Sequence, residues 1–363
     1  MSEHDGWLVP TSYGDAPLEY AAVRKGGAGL IDLSPGGRIL VSGTEAVQFL
    51  NGLITNDMKT LAENSWMAAA FPNVQGRLIA SVRVIRLEDE GEGKKVSSTF
   101  LVDTEAVTHR RVLQIIERFT LAGDFRLTDV TSETVLLSLQ GARTAAIAGE
   151  VLQQDVSAYK PNQAARIAWP AGTETPTDFS NGLIVIRATH TAEDGFDFVV
   201  GAANAVSLWN ALKAAGGQPV GYGVLNTLRI EAGVPRYGMD MDESNVVTEA
   251  LFDDAVSYTK GCYLGQEIIA RIKYRGHVAK QLAGITFDQP GDVKSGALVN
   301  SEDDKEIGRL TSVTYSPQLE RTIALGYLKY DYLQPGTKVK VAVADGEAFG
   351  HVTELPFVGA ASV

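Results

Sequence analysis

The spacing of apolar residues divides the first part of the chain into short strands and helices. Continuous or alternating apolar runs predict strands over 66–71 and 77–86, joined by a glycine-containing turn. Apolar residues three or four positions apart predict amphipathic helices over 17–26 and 103–119, the second with Asp103 as its N-cap. Interleaved strands and helices of this kind indicate an α+β fold.

The same pattern continues to about residue 270. The other predicted elements of this region are strands at 30–34, 96–102, 135–139 and 182–200, the last interrupted by a turn, a helix capped by Thr44, and helices at 143–153, 203–214 and 222–232. Residues 154–180 are rich in turn-forming residues and are predicted to form an irregular connection. Two α+β halves are therefore expected.

The pattern changes from Leu282 onward. Short apolar runs alternate with turns that contain glycine or proline, and they predict strands at 282–287, 306–314, 322–328 and 337–343. Short strands at this spacing are typical of a small antiparallel barrel or sandwich. We therefore expect an α+β domain over 1–278, possibly discontinuous, and a β-barrel domain over 279–363.

Composition narrows the class of protein. The 363 residues carry a net charge of −12, which argues against nucleic-acid binding because that function favours a basic face. The single cysteine excludes an intramolecular disulfide and a metal site with several cysteine ligands, and it fits a reducing compartment. The N-terminal residues lack the pattern of a secretory signal, and no apolar run is long enough to cross a membrane. We expect a cytoplasmic protein.

That cysteine lies in an unusual segment, residues 260–267, with the sequence Lys-Gly-Cys-Tyr-Leu-Gly-Gln-Glu. Gly261 and Gly265 permit the positive φ angles of a tight turn. The ammonium of Lys260 would favour the thiolate of Cys262, which is the reactive form. A buried, inert thiol is the alternative, and local chemistry leaves both open.

The octet resembles the signature of the YgfZ family, folate-binding relatives of the glycine-cleavage T-protein (GcvT, aminomethyltransferase) that act in iron–sulfur protein maintenance. Ala270-Arg271 and Arg275-Gly276 continue the pattern. The resemblance implies two ferredoxin-like α+β halves with a C-terminal antiparallel barrel. It also implies functional roles for Cys262 and Lys260, tetrahydrofolate or a one-carbon derivative as cofactor, and iron–sulfur client or assembly proteins as partners.

One position departs from the T-protein pattern. In that family the strand after the glycine turn carries a catalytic aspartate, and alignment on Gly76 places Ser81 there. A serine hydroxyl cannot take up a proton as a carboxylate does. A second resemblance is the segment 191–198, which matches the T-protein's "TGEDGFE" turn with Ala192 in place of a glycine. We expect this hairpin to shape the sheet rather than hold a ligand.

A carboxylate near the end of the helix 222–232 is a candidate ligand. Glu231 faces the negative end of the helix dipole, which is unfavourable and indicates another role. An ion pair with a nearby arginine is one possibility. The matching glutamate of the T-protein's "R-x-E-A-G" segment accepts two N–H bonds from the pterin ring, so the resemblance implies that Glu231 binds the pterin.

Folate also carries an anionic glutamate tail. Arg271 and Arg275 are the first candidates to bind it, ahead of Lys273, because arginine grips a carboxylate with two bonds. Arg229 and Arg236 are second choices. The solvated face of a basic strand is the alternative for Arg271, Lys273 and Arg275. Tyr237 is expected near the pterin, although a residue that fills core space would show the same pattern.

Three functions follow. The first is a tetrahydrofolate-binding, YgfZ-type protein that supports assembly or repair of iron–sulfur proteins through Cys262. The second is a folate-dependent aminomethyltransferase or demethylase, weakened by Ser81. The third is a folate-binding scaffold without chemistry. All three share one fold, so the fold cannot distinguish them.

Overall fold

The computed structural model describes residues 1–4, 6–89, 96–118, 123–170, 179, 182–250, 253–289, 292–344 and 346–359. The helices are α1 (Ala16–Arg24), α2 (Ala46–Leu53), α3 (Ala106–Glu117), α4 (Thr144–Leu152), α5 (Ala202–Ala214), α6 (Tyr222–Glu231), α7 (Val247–Ala250) and α8 (Gln266–Arg275). None of these helices is both long and apolar enough to cross a membrane.

The strands of the first 260 residues are β1 (Ser2–His4), β2 (Trp7–Val9), β3 (Gly29–Asp32), β4 (Gly37–Gly43), β5 (Ser65–Pro72), β6 (Leu78–Arg86), β7 (Ser98–Thr104), β8 (Arg126–Asp129), β9 (Thr134–Gln140), β10 (Ala164–Ala168), β11 (Gly182–Arg187), β12 (Gly195–Gly201) and β13 (Gln218–Pro219). Apart from the small β1–β2 hairpin, they form two sheets. One is five-stranded, in the order β5-β6-β7-β4-β8, and the other is six-stranded, in the order β10-β11-β12-β9-β3-β13.

The two sheets pack face to face with helices outside them. Apolar residues of α2 and α3 cover one face of the five-stranded sheet, and those of α4 and α5 cover one face of the six-stranded sheet. The inner faces meet in a buried cluster that includes Ile85 and Leu101 from one sheet and Leu136 and Ile184 from the other. The consecutive strands β3 and β4 lie in different sheets, so the two units are intertwined.

The C-terminal part closes into a six-stranded barrel. Its strands are β14 (Lys280–Phe287), β15 (Leu298–Ser301), β16 (Glu306–Ser316), β17 (Arg321–Lys329), β18 (Lys338–Val343) and β19 (Gly346–Thr353), in the order β14-β17-β16-β15-β18-β19. Every neighbouring pair is antiparallel, including the closing pair β14 and β19. The predicted α+β fold with an antiparallel barrel is confirmed.

Some local predictions were wrong. Helix α3 begins at Ala106 after the N-cap residue Glu105. Asp103 remains in β7, where it pairs with β4 and β6. The region expected to be an irregular connection contains β10, and the barrel prediction omitted β15 and β19. Thr44 binds the carboxylate of Asp124 instead of capping α2. Residues 90–95 of the predicted charged hairpin tip lie outside the described residues.

Helix α6 uses three of its faces: one packs on α1 and β3, one packs on the barrel, and one lines a cavity. Val224 and Leu228 pack in a cluster with α1 and β3. Ile230 packs against the barrel residues Ile323 and Leu325. The remaining face lines a cavity at the sheet interface. Helix α6 therefore joins both layers of the N-terminal part to the barrel.

Candidate functional site

A cavity of about 350 Å³ lies between the inner faces of the two sheets and helix α6. Its walls come from β5, β6 and β7, from residues 188–190 after β11, from α6, and from residues 234–236 that follow α6. Most of the lining is apolar or aromatic, with a small set of charged groups. Ligand sites in proteins commonly have this size and composition.

The strand β6 presents two polar residues to the cavity. Side chains alternate along a strand, so Ser81 and Arg83 face inward while Val82 and Val84 belong to the core cluster under the helices. The Arg83 guanidinium donates to Asp103 at 2.8 Å and to Asp197 at 2.6 Å. This arginine therefore links carboxylates from both sheets across the cavity wall.

Asp197, on β12, is completely buried and binds an imidazole as well as the Arg83 guanidinium. His190 Nε2 lies 2.9 Å from its Oδ2 and 3.1 Å from its Oδ1. Burial opposes ionisation of Asp197, but His190 and Arg83 outweigh that effect and hold the pKa of the carboxyl well below its usual range. His190 also lines the cavity, and its backbone N–H donates to Gln140 Oε1.

Helix α6 supplies Tyr222, Leu225, Asn226 and Arg229, which are spaced three or four residues apart and share one face. The Arg229 guanidinium donates to Asp240, Ser312, Asn226 and the carbonyl oxygen of Val234. Burial lowers its pKa, and the carboxylate of Asp240 opposes this shift. Arg229 thus lines the cavity while its donors bind the protein itself.

Glu231 does not line the cavity. Its carboxylate is completely buried and accepts from Tyr20 at 2.7 Å, from Ser316 at 2.5 Å, and from Arg24 at 3.0 and 2.9 Å. These four bonds match the acceptor capacity of a carboxylate, so none remains for two pterin N–H groups. The structure corrects the expected role: Glu231 joins α1, α6 and the barrel.

Tyr237 and the three cations of α8, which were also predicted to bind folate, lie elsewhere. The Tyr237 hydroxyl donates to the carbonyl oxygen of Leu78, and the ring packs in a separate cluster. Arg271, Lys273 and Arg275 are exposed on α8, and none of them lines the cavity. Arg229 and Arg236, the second choices for the glutamate tail, do line the cavity.

The cysteine segment forms a surface turn that is anchored to α2. Lys260 is buried, and its Nζ donates to the carbonyl oxygens of Asn51, Ile54 and Asn56 at 2.7 to 2.9 Å. This ammonium therefore serves the end of α2 rather than the thiol, which corrects its expected role. Cys262 is exposed, and it does not line the cavity. Gly265 has the expected positive φ, whereas Gly261 does not.

The cavity residues that the sequence reasoning missed are Trp66, Arg83, Asp103, His190 and Tyr222. The sequence contains a signal that could have identified Arg83 and its partner. Arg83 sits between two valines on β6, and its partner Asp197 sits between two phenylalanines on β12. A charge within a buried apolar strand requires a partner, so such residues indicate a buried polar network. The sequence does not show which strands bring the partners together.

Comparison with known families covers nearly the whole chain. Residues 1–260 match the GCVT N-terminal domain, and residues 280–358 match the glycine cleavage T-protein C-terminal barrel domain. Relatives named aminomethyltransferase occur in Rubrobacter xylanophilus at 33% identity over 355 residues, covering 97% of this chain and 88% of that protein. A second, in Symbiobacterium thermophilum, is 31% identical and covers 98% of this chain and 93% of that protein.

The fold agrees with a solved relative. The crystal structure of glycine cleavage system aminomethyltransferase T from Bartonella henselae superposes with a TM-score of 0.86 at 22% identity, covering 98% of this chain and 93% of that one. At 22% identity this likeness shows the fold alone, and the family of the chain is assigned from the domain matches. The chain belongs to the glycine cleavage T-protein (GcvT) family.

Proposed function

We propose that the protein binds tetrahydrofolate, or a one-carbon derivative of it, in the central cavity and acts as a folate-dependent one-carbon transferase of the aminomethyltransferase kind. The observation that carries the proposal is the 350 Å³ cavity at the meeting point of both sheets and α6. Membership of the glycine cleavage T-protein family supports the proposal. The relatives named aminomethyltransferase, which align with nearly all of the chain, support it too.

The chemistry of the lining suits such a ligand. Trp66 and Tyr222 offer aromatic surfaces for a flat heterocyclic ring. Arg236 also lines the cavity, with its guanidinium 5.7 Å from the centre of the Tyr222 ring, and it gives positive charge for a glutamate tail. The cavity therefore combines ring-binding surfaces with a cation, which is the combination that a folate requires.

Ser81 raises the question of which group in the cavity transfers protons. It lines the cavity, and the resemblance places it where the T-protein carries its catalytic aspartate. The carboxylates that line the cavity in the described residues are Asp103 and Glu105, and Asp103 is paired with Arg83. Proton transfer in this site therefore depends on a group other than residue 81.

Calorimetry with tetrahydrofolate tests the proposal. We expect the wild-type protein to bind one equivalent, and we expect Ser81→Phe to abolish binding because the added ring occupies the cavity. Ser81→Ala is the matched control at the same position, since it removes only a hydroxyl and should bind as the wild type does. Absence of wild-type binding, or full binding by a folded Ser81→Phe variant, would refute the cavity as the folate site.

Transfer itself needs a separate assay. Purified protein is expected to transfer an aminomethyl group from a lipoyl carrier protein to tetrahydrofolate, with formation of the methylene derivative followed by absorbance. Failure to turn over, despite tight folate binding, would favour a role other than this transfer.

A second candidate function is support of iron–sulfur proteins, as in the YgfZ family, and the exposure of Cys262 favours it. An accessible thiol on a surface turn can lend one ligand to a passing cluster or take part in thiol chemistry. One thiol does not hold a cluster alone, so a partner protein or small thiols must supply the other ligands.

Complementation distinguishes this second function from the first. In a strain without this gene, the activity of an iron–sulfur enzyme under oxidative stress should fall, and wild-type protein should restore it while Cys262→Ala should not. If the iron–sulfur enzyme is unaffected and folate-dependent glycine cleavage falls instead, the transferase function is the correct one.

A further inference from the structure

We propose that His190 is a catalytic residue of the cavity: it takes a proton from the bound folate at Nδ1 and is held and polarised by Asp197. This proposal rests on the proposed function, because it assigns the proton-accepting group that one-carbon transfer needs. It also explains how the site operates with a serine at position 81.

The geometry is that of a histidine–aspartate dyad. The His190 side chain is about 30% exposed and lines the cavity, whereas the Asp197 side chain behind it is completely buried. His190 Nε2 lies 2.9 Å from Asp197 Oδ2. Within the described residues, no hydrogen-bond partner of Nδ1 is found, while the backbone N–H of His190 is fixed by Gln140.

The partner determines which nitrogen carries the proton. An ionised carboxylate only accepts hydrogen bonds, so Asp197 requires a proton on Nε2. Neutral imidazole has one N–H, and the lone pair is then on Nδ1. A proton taken up at Nδ1 produces an imidazolium whose charge Asp197 stabilises at short range. The dyad therefore presents a base to the cavity and anchors the ring from behind.

The other polar groups of the cavity are poorly suited to this role. Ser81 has no basic form at neutral pH. Asp103 is bound to Arg83 at 2.8 Å, so its carboxylate is already engaged in an ion pair. Glu105 lies 4.0 Å from the guanidinium of Arg236. Among the described lining residues, His190 carries the imidazole, which can accept a proton at one ring nitrogen while the other donates.

The charged surroundings of His190 are mixed. Asp197 and Arg83 contact each other behind the ring, and the other charged side chains that line the cavity are Asp103, Glu105, Arg229 and Arg236. In the turn that follows His190, Glu193 is paired with Arg24 and Asp194 with Arg187. These pairs cancel most of the local charge, so Asp197 is the charged group that binds the imidazole directly.

One proton moves from the folate to His190 and then to the leaving group. The folate nitrogen attacks the one-carbon unit with its lone pair, which becomes the new N–C bond. Its N–H proton passes to Nδ1, and the N–H bonding pair stays on the nitrogen. The donor's bond to the carbon breaks, and its electron pair leaves with the departing thiol or amine group. The imidazolium then gives its proton to that group, which restores neutral His190.

The pH profile of transfer is the first test. His190→Gln keeps an amide donor for Asp197 but cannot accept a proton, so kcat should fall by about 10²–10⁴-fold. Because a base acts only in its neutral form, the acidic limb of the wild-type profile should disappear, with tetrahydrofolate affinity largely retained. His351→Gln is the matched control, because His351 pairs with Asp288 at 3.4 Å on the barrel, away from the cavity. An unchanged profile in His190→Gln would overturn the proposal.

Nitrogen NMR of the free protein supplies a readout that needs no turnover. Spectra of ¹⁵N-histidine-labelled wild type, assigned with His190→Gln, should show His190 with its proton on Nε2 and a free Nδ1 at high pH. A proton on Nδ1 in the neutral ring would overturn the dyad. Failure of wild type to bind tetrahydrofolate would instead overturn the proposed function, so the two failures are distinguishable.

Discussion

At the scale of single residues, Glu231 shows how one sequence feature can have two physical causes. A carboxylate at the end of a helix faces an unfavourable dipole and must be compensated. A ligand with N–H groups can do this, and so can Tyr20, Ser316 and Arg24 of the same chain. Sequence reasoning identified a residue under constraint, but the compensating groups lie more than eighty residues away on either side and are visible only in the fold.

Glu231→Gln tests this structural role. It removes the negative charge that pairs with the buried guanidinium of Arg24, and loss of one partner of a buried ion pair costs about 3–5 kcal/mol. The free energy of unfolding from urea titration should fall by this amount, while the folded variant still binds tetrahydrofolate. Glu320→Gln, at an exposed site, is the control and should change stability little. A stable variant that has lost folate affinity would restore the pterin assignment.

At the scale of elements, the sequence was sufficient where local periodicity is strong. The helices α1, α4, α5 and α6 and the strands β5 and β6 lie within a few residues of their predicted bounds. The missed strands include β4, β8, β10, β15 and β19. They are short or carry polar and glycine residues, and distant partners define them rather than local pattern.

Some residues of the candidate site were identified from the sequence, whereas the pairings between them were not. Ser81 was singled out by alignment with the T-protein, and Arg229 was a second-choice cation for the glutamate tail. Both line the cavity. The partnership of Arg83 with Asp197 joins residues 114 positions apart on different sheets. Such a pairing depends on how the sheets stack, which no local periodicity encodes.

The turn at 257–265 gives a prediction at this scale. Lys260→Met removes three charge-assisted bonds to the end of α2, and the buried carbonyl oxygens lose their donor, so the free energy of unfolding should fall by about 2–4 kcal/mol. The amides of Ser257 and Leu264, which donate to residues near that helix end, should exchange faster with deuterium. Lys59→Met, at an exposed site, should leave both measurements unchanged. Equal protection in Lys260→Met would show that the turn holds without this anchor.

At the scale of the whole molecule, helix α6 connects the barrel to the N-terminal part. Its Ile230 packs with Ile323 and Leu325 of the barrel, and Thr227 binds Thr314 through their hydroxyls. The opposite side of the same helix lines the cavity. Because the same helix contacts the barrel and lines the cavity, the barrel supports the geometry of the cavity. The described residues that line the cavity all lie outside the barrel.

Leu325→Ala measures this coupling. All four tryptophans precede residue 260, so their fluorescence reports unfolding of the N-terminal part alone. Leu325 is completely buried on β17, and its truncation should cost about 2–5 kcal/mol. If the molecule unfolds as one cooperative unit, the urea midpoint of tryptophan fluorescence should fall although no tryptophan lies in the barrel. Leu298→Ala, at an exposed barrel position, should shift it little. An unchanged midpoint in Leu325→Ala would mean that the two parts unfold separately, and the cavity would then not depend on the barrel.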